Sequence, residues 1–247
     1  MLLLHGAAQT AHSWDEVAPD LSRDHHVLAL DQRGHGDTDW AADHVYRRDD
    51  MVADILAFLD DRGWKTATLV ALSMGGLNSM TFAATHPDRI RGLVVVDVAP
   101  RVERKGTEAI RSQLSVFEFE SFDDAVARAH AFNPRRTLEN IRERMHHGLK
   151  QRPDGKWVYK FDPNIGSFEA GGSLESLWAR LNEIRCPTLL VRGGESDILA
   201  KESVERFRKE VPRCEVAEVP GAGHSVMGDN PQGFLSAVGP FLSRHGL

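Results

Sequence analysis

The chain reads as an α/β protein: a mostly parallel sheet with helices on both faces, interrupted once by a helical insertion. Three observations predict this. Short runs rich in Val, Leu and Ile occur at residues 2–4, 26–30, 67–72, 93–98, 188–191 and 215–219. Between them lie amphipathic stretches of ten or more residues, and strands alternating with helices imply parallel pairing. The alternation fails only between residues 100 and 185, which is too long for a plain connection.

Each element follows in order. Residues 2–4 form the first strand, ending in His5-Gly6-Ala7, and 26–30 the second, ending at Asp31-Gln32-Arg33-Gly34-His35-Gly36-Asp37. Met51, Ile55, Phe58 and Leu59 recur at helical spacing over 50–59. Residues 67–72 are a buried strand running into Ser73, with a helix continuing to His86. Residues 93–98 carry Asp97 at the end of the next strand. The strand at 188–191 leads to Gly193-Gly194-Glu195-Ser196-Asp197, and the last, at 215–219, to Gly221-Ala222-Gly223-His224-Ser225. The expected division is a core of 1–99 and 186–247 with a helical lid at 100–185. Within the lid, Leu138, Ile141, Met145 and Leu149 mark one helix stripe, and Arg152-Pro153-Asp154-Gly155 marks a turn. The lid holds half of the chain's 18 aromatic residues, Phe168 among them, which form its own small core with a few facing a pocket.

Composition excludes several classes. The 247 residues, 41% hydrophobic and 27% charged, describe an ordinary soluble protein with ample chain for a core. A net charge of −6 argues against a nucleic-acid partner. No run approaches a membrane span, and no basic residue precedes the short apolar start, so no membrane partner or signal peptide is read and a cytoplasmic location is expected. Cys186 and Cys214 are expected to be reduced core thiols.

Chemistry concentrates at Ala71-Leu72-Ser73-Met74-Gly75-Gly76. A strand turning sharply into a helix needs small residues two before and two after the serine, and Ala71 and Gly75 meet that need. Such a turn lifts the hydroxyl above the sheet and aims the Met74 N–H at a developing oxyanion, with a helix N-terminus beneath it. On its own, a serine at a Gly-rich helix start is common in α/β proteins.

Together with His5-Gly6-Ala7, the turn at Asp31–Asp37 and the segments around Asp197 and His224, the chain resembles the α/β-hydrolase superfamily, in its lidded esterase, lactonase and perhydrolase forms. The resemblance spans nearly the whole chain and is least specific in the lid. It implies Ser73 as nucleophile, His224 as general base and then acid, and Asp197 as the carboxylate that orients the imidazole. Asp97 is the alternative acid, since some such hydrolases seat it one strand earlier. The oxyanion donors are the N–H groups of Ala7 and Met74. Leu72, Phe132 and Trp157 are expected to line the substrate pocket. The superfamily carries two strands before the His-Gly strand; here Met1 opens that strand, so either those two are absent or the start lies upstream.

The implied reaction is cleavage of a carboxylic ester or lactone through an acyl-enzyme on a small-molecule substrate. A hydrolase-fold ligand receptor, a cofactor-free perhydrolase and a carbon–carbon bond hydrolase are the alternatives. No cofactor or metal is implied: the glycines lack a dinucleotide fingerprint, His5 has no ligand partners, and His146 and His147 point in different directions on one helix. Arg33, His35 and Asp37 read as a brace under the site. The oligomeric state stays open.

Overall fold

The computed structural model describes residues 1–166 and 174–247, so Phe168 lies outside the described residues. All six predicted core strands form. They are β1 (Leu2–Leu4), β2 (Leu28–Leu30), β3 (Ala67–Leu72), β4 (Ile90–Val96) and, beyond the insertion, β8 (Thr188–Gly193) and β9 (Cys214–Val219). They join in one wholly parallel sheet, in the order β2-β1-β3-β4-β8-β9.

Side chains along these strands alternate between two cores, because successive Cβ atoms point to opposite faces. Leu2, Leu4, Leu69, Ala71, Leu93, Val95 and Leu190 face one core, which is covered by α2 (Arg48–Asp61), α3 (Met74–Thr85) and α8 (Lys201–Glu210). Leu3, Val70, Leu72, Val94, Val96 and Val191 face the other, covered by α1 (Ala18–Leu21) and α10 (Pro231–His245). Each strand leucine shut away from water on both sides contributes about 1.5–3 kcal/mol.

The chain leaves β1 toward β2 and then returns past β1 to β3, so the winding direction reverses between β1 and β3. Loops diverge at such a switch point, leaving a crevice above the C-terminal ends of the strands. His5-Gly6-Ala7 and Ser73 sit at this crevice.

Between β4 and β8 the insertion is not purely helical. It contains α4 (Arg104–Leu114), α5 (Phe122–Phe132) and α6 (Leu138–Gly148), but also a three-stranded antiparallel sheet. Its strands are β5 (Glu118–Phe119), β6 (Leu149–Gln151) and β7 (Trp157–Tyr159), and the predicted Arg152–Gly155 turn joins the last two. Runs of two or three residues carry no readable period, which is why the sequence pattern showed only helices here. Ser121 and Thr137 cap α5 and α6 by accepting from the Asp124 and Asn140 N–H groups. The chain rejoins the main core before residue 185: Leu177 and Trp178 of α7 (Leu174–Trp178), with Leu181 and Ile184, are buried in the α3-side core.

Two buried carboxylates tie the insertion down. Asp162 accepts from Tyr46 Oη at 2.7 Å and from the Asn164 N–H at 2.9 Å, and His44 Nδ1 lies 2.5 Å away. Burial and this bond push the Tyr46 hydroxyl up to about 12. Asp229, in α9 (Val226–Asp229), pairs with Arg136 at 2.9 Å, both side chains 1% exposed. It also accepts from Asn133 and from the Gly223 N–H beside His224. Losing one member of such a buried pair costs about 3–5 kcal/mol.

Candidate active site

Ser73 stands between β3 and α3 with φ 51° and ψ −117°, a conformation non-glycine residues rarely adopt. Packing holds it there. A Cβ on Gly75 would come within 2.7 Å of the carbonyl oxygens of Leu4 and His5, so α3 reaches the end of β1 only because residue 75 has no side chain. A Cβ on Gly6 would lie 3.2 Å from Ser73 Cβ, so the His5-Gly6 loop passes directly against the serine.

His5 sets the direction of the Ala7 N–H. The Gln32 N–H donates to its Nε2 at 3.0 Å, so the other nitrogen, Nδ1, carries the proton and donates to the Gly6 carbonyl at 2.8 Å. In a trans peptide the C=O and the following N–H point opposite ways. Fixing the Gly6 carbonyl therefore turns the Ala7 N–H the other way, and that N–H donates no hydrogen bond among the described residues. His35 completes the brace: its Nε2 accepts the Ala8 N–H at 3.1 Å, holding Ala8 at φ 59°. Burial pushes His5 down to about 4 and His35 to about 3, so both rings are neutral at neutral pH. Met74 is the first residue of α3, where the N–H has no carbonyl in a preceding turn.

The carboxylate facing His224 is Asp97, not Asp197. His224 Nδ1 lies 2.8 Å from Asp97 Oδ2, and the Asp97 side chain is fully buried. Asp97 also accepts from the Gly193 N–H at 2.9 Å and from Ser196 Oγ at 2.6 Å. Its φ of 51°, in a region Asp tolerates better than most residues, turns the chain sharply at the end of β4. Asp197 is exposed, and the loop carrying it explains why. The Glu195 N–H is bound to the Ala222 carbonyl, Ser196 turns inward to Asp97, and Asp197 is left facing water while α4 packs Gly106 on its backbone. Ser196, which the sequence reading passed over, is a partner of the buried acid. It also accepts the N–H groups of Ile198 and Leu199, which fixes its hydroxyl.

Gly193 has a further constraint. A Cβ there would come within 2.1 Å of the Gly223 carbonyl, so β8 and the His224 loop touch backbone to backbone. Arg136 Nη2 donates to the Ser225 carbonyl at 3.3 Å, and Gln9 Nε2 to Ser225 Oγ at 3.3 Å. The insertion and the Ala7 loop thus both hold the His224 segment. No hydrogen bond joins Ser73 Oγ to His224 among the described residues; catalytic bonds of this kind are often long before substrate binds.

Of the expected pocket residues, Leu72 is fully buried in the α10-side core, where the alternation along β3 directs its side chain. Phe132 is 45% exposed at the end of α5, outside the apolar cluster that meets Met74. Trp157 packs at the margin of that cluster, 5.0 Å from the Phe122 ring. Met74 belongs instead to an apolar cluster with Met145, Tyr159 and Phe161, against which Ala7 and Phe117 pack. The rings of Phe117 and Tyr159 lie 5.4 and 5.0 Å from that of Phe161. Cys186 and Cys214 are unbridged, and burial pushes their thiols up to about 11 and about 12, which leaves them un-ionised. Among the described residues no helix is long and apolar enough to cross a membrane.

The chain is similar to known proteins over nearly its whole length. The chain is 30% identical over 246 residues to esterase Rv0045c of Mycobacterium tuberculosis, covering 96% of this chain and 80% of that protein. Esterase YbfF of Escherichia coli is 27% identical, with 98% and 92% covered. The crystal structure of E-2-(acetamidomethylene)succinate hydrolase superposes with a TM-score of 0.87 at 28% identity, covering 98% of this chain and 91% of that one. A family model for the alpha/beta hydrolase fold matches residues 1–231, and with the parallel sheet and the serine turn in place the chain belongs to that family.

Proposed function

We propose that this α/β hydrolase cleaves carboxylic esters or lactones through an acyl-enzyme on Ser73. The observation that carries the reading is the 2.8 Å contact between His224 Nδ1 and the buried Asp97 carboxylate. That contact keeps the proton on Nδ1 and leaves Nε2 free as a base. Ser73 Oγ attacks the carbonyl carbon while its proton passes to His224 Nε2. The oxyanion is held by the Ala7 and Met74 N–H groups, each such donor contributing about 2.7–4 kcal/mol in comparable sites. The imidazolium then protonates the leaving alkoxide, leaving the acyl group on Ser73. His224 next takes a proton from water, the resulting hydroxide attacks the acyl ester, and collapse of the intermediate returns the proton to Ser73 and releases the acid. The insertion acts as a lid whose aromatic cluster excludes water from the acyl group. The esterase names among the relatives support an ester substrate.

A fluorophosphonate probe tests the nucleophile: wild type is expected to label on Ser73, and Ser73→Ala to lose the label with its fold intact. Equal labelling of both proteins refutes the assignment. A parallel panel of p-nitrophenyl esters, lactones and a β-diketone tests the bond. Faster cleavage of the diketone than of every ester would replace the ester reading with carbon–carbon hydrolysis.

A further inference from the structure

His146 and His147 are neighbours on α6, and successive residues on a helix point about 100° apart. His146 stacks on Phe122, with ring centroids 4.3 Å apart. His147 crosses from the insertion to the core, where its ring lies face to face on that of His12, centroids 3.4 Å apart and planes 10° from parallel. His12 belongs to the short 3-10 turn Ala11–Trp14 that follows the Ala7 loop, and its Nδ1 lies 2.8 Å from Asp15 Oδ2. One ligating atom from each of His12, Asp15 and His147 lies within 4.8 Å of the other two.

We propose that His12, Asp15 and His147 form a divalent transition-metal site of the zinc type that staples the insertion to the core beside the Ala7 loop. Two imidazoles and one carboxylate are a ligand set suited to zinc, nickel or copper rather than to calcium or magnesium. The ring of His147 makes no hydrogen bond among the described residues, so its nitrogens are not engaged by another protein group. Asp15 supplies a carboxylate at the cluster, Glu143 lies one turn earlier on the same helix, and the nearby Lys160 is paired with Asp37. Stacked rings direct their lone pairs side by side. Binding therefore requires each ring to turn about its Cβ–Cγ bond until the nitrogens stand about 2.0–2.1 Å from the ion. The partial exposure of both rings leaves room for that turn. Three protein ligands leave the fourth position to water.

The staple joins two parts of the site. His12 is five residues beyond Ala7, and α6 places Met145 in the apolar cluster over Met74. Zinc is therefore expected to slow separation of the insertion from the Ala7 loop; on the acyl-transfer reading this slows turnover, but the binding test does not rest on that reading.

The test is zinc titration by calorimetry on the full chain. One zinc per wild-type chain is expected, and His12→Ala and His147→Ala should each weaken binding more than about a hundredfold, beyond the 10–100-fold typical of outer-shell losses. His147→Gln, which keeps the bulk of the side chain, should weaken it equally. The double variant His25→Ala/His26→Ala, remote from the site, should bind as wild type does. Hydrogen exchange over residues 138–148 should slow with zinc in wild type and stay unchanged in His12→Ala. Wild-type affinity in either His147 variant places the ion elsewhere and overturns the site. Zinc that binds without slowing exchange overturns the staple.

Discussion

At the residue scale, the decisive arrangement is a buried carboxylate with three donors around it. Asp97 is reached by His224, Ser196 and the Gly193 N–H, whereas Asp197, the residue after Ser196, faces water because the turn already directs Ser196 inward. Removing the charge at Asp97 also removes the group that fixes the imidazole tautomer. Asp97→Asn is therefore expected to lower kcat by about 10³–10⁴ with little change in KM, the drop in the serine-protease template being about 10⁴ in kcat. Asp197→Asn is expected to leave kcat within about a factor of three. Steady-state kinetics on a p-nitrophenyl ester, with circular dichroism confirming that both variants fold, check the pair. A slow Asp197→Asn beside an active Asp97→Asn reverses the assignment. Both aspartates end strand-like runs in the sequence, so local pattern alone did not separate them. The sequence did carry a faint signal, because a serine one residue before Asp197 is the side chain that ends up turned inward.

At the element scale, the approach of α3 to β1 decides whether Ser73 and Ala7 share a site. The contact at Gly75 is against backbone oxygens, which cannot move aside as a flexible side chain would. Gly75→Ala is expected to destabilise the fold by about 1–3 kcal/mol through overpacking and to lower kcat by shifting the Ala7 N–H. Gly148→Ala, where an added Cβ meets nothing within 4 Å, is expected to be nearly neutral in both respects. Urea denaturation of the two variants beside wild type checks this, and equal effects would remove the argument from close approach. The serine turn was legible because small residues at 71 and 75 are a local demand. The antiparallel strands of the insertion were not, because two- and three-residue strands acquire their identity from partners distant in sequence.

At the scale of the whole molecule, two buried neutral histidines link stability to pH. His5 and His35 are both fully buried, and their native pKa values, about 4 and about 3, lie below the ordinary 6.5. Between these limits the unfolded chain binds more protons than the native one, so stability rises with pH and is lost as pH falls below 6.5. At pH 5 each ring withholds stability of roughly 2 kcal/mol, from about 1.36 kcal/mol for each pH unit below 6.5. Chemical denaturation at pH 7.5 and pH 5 is expected to show this loss, steepening toward pH 4. A stability unchanged between pH 7.5 and pH 5 would mean that the rings protonate without cost and do not brace the Ala7 loop as neutral acceptors.

The sequence by itself determined the class, the six core strands, α2 and α3 within two residues of the expected ends, and the loops that meet above the sheet. Those features rest on periodicity and on small residues at tight turns, which are local demands. Tertiary structure alone decided which aspartate faces His224, that Leu72 packs in the α10-side core while Phe117 and Phe161 join the cluster around Met74, and that His147 meets His12 and not His146. Each of these depends on the direction a side chain takes once strands far apart in the chain have paired. A one-dimensional pattern records the spacing of residues but not that direction.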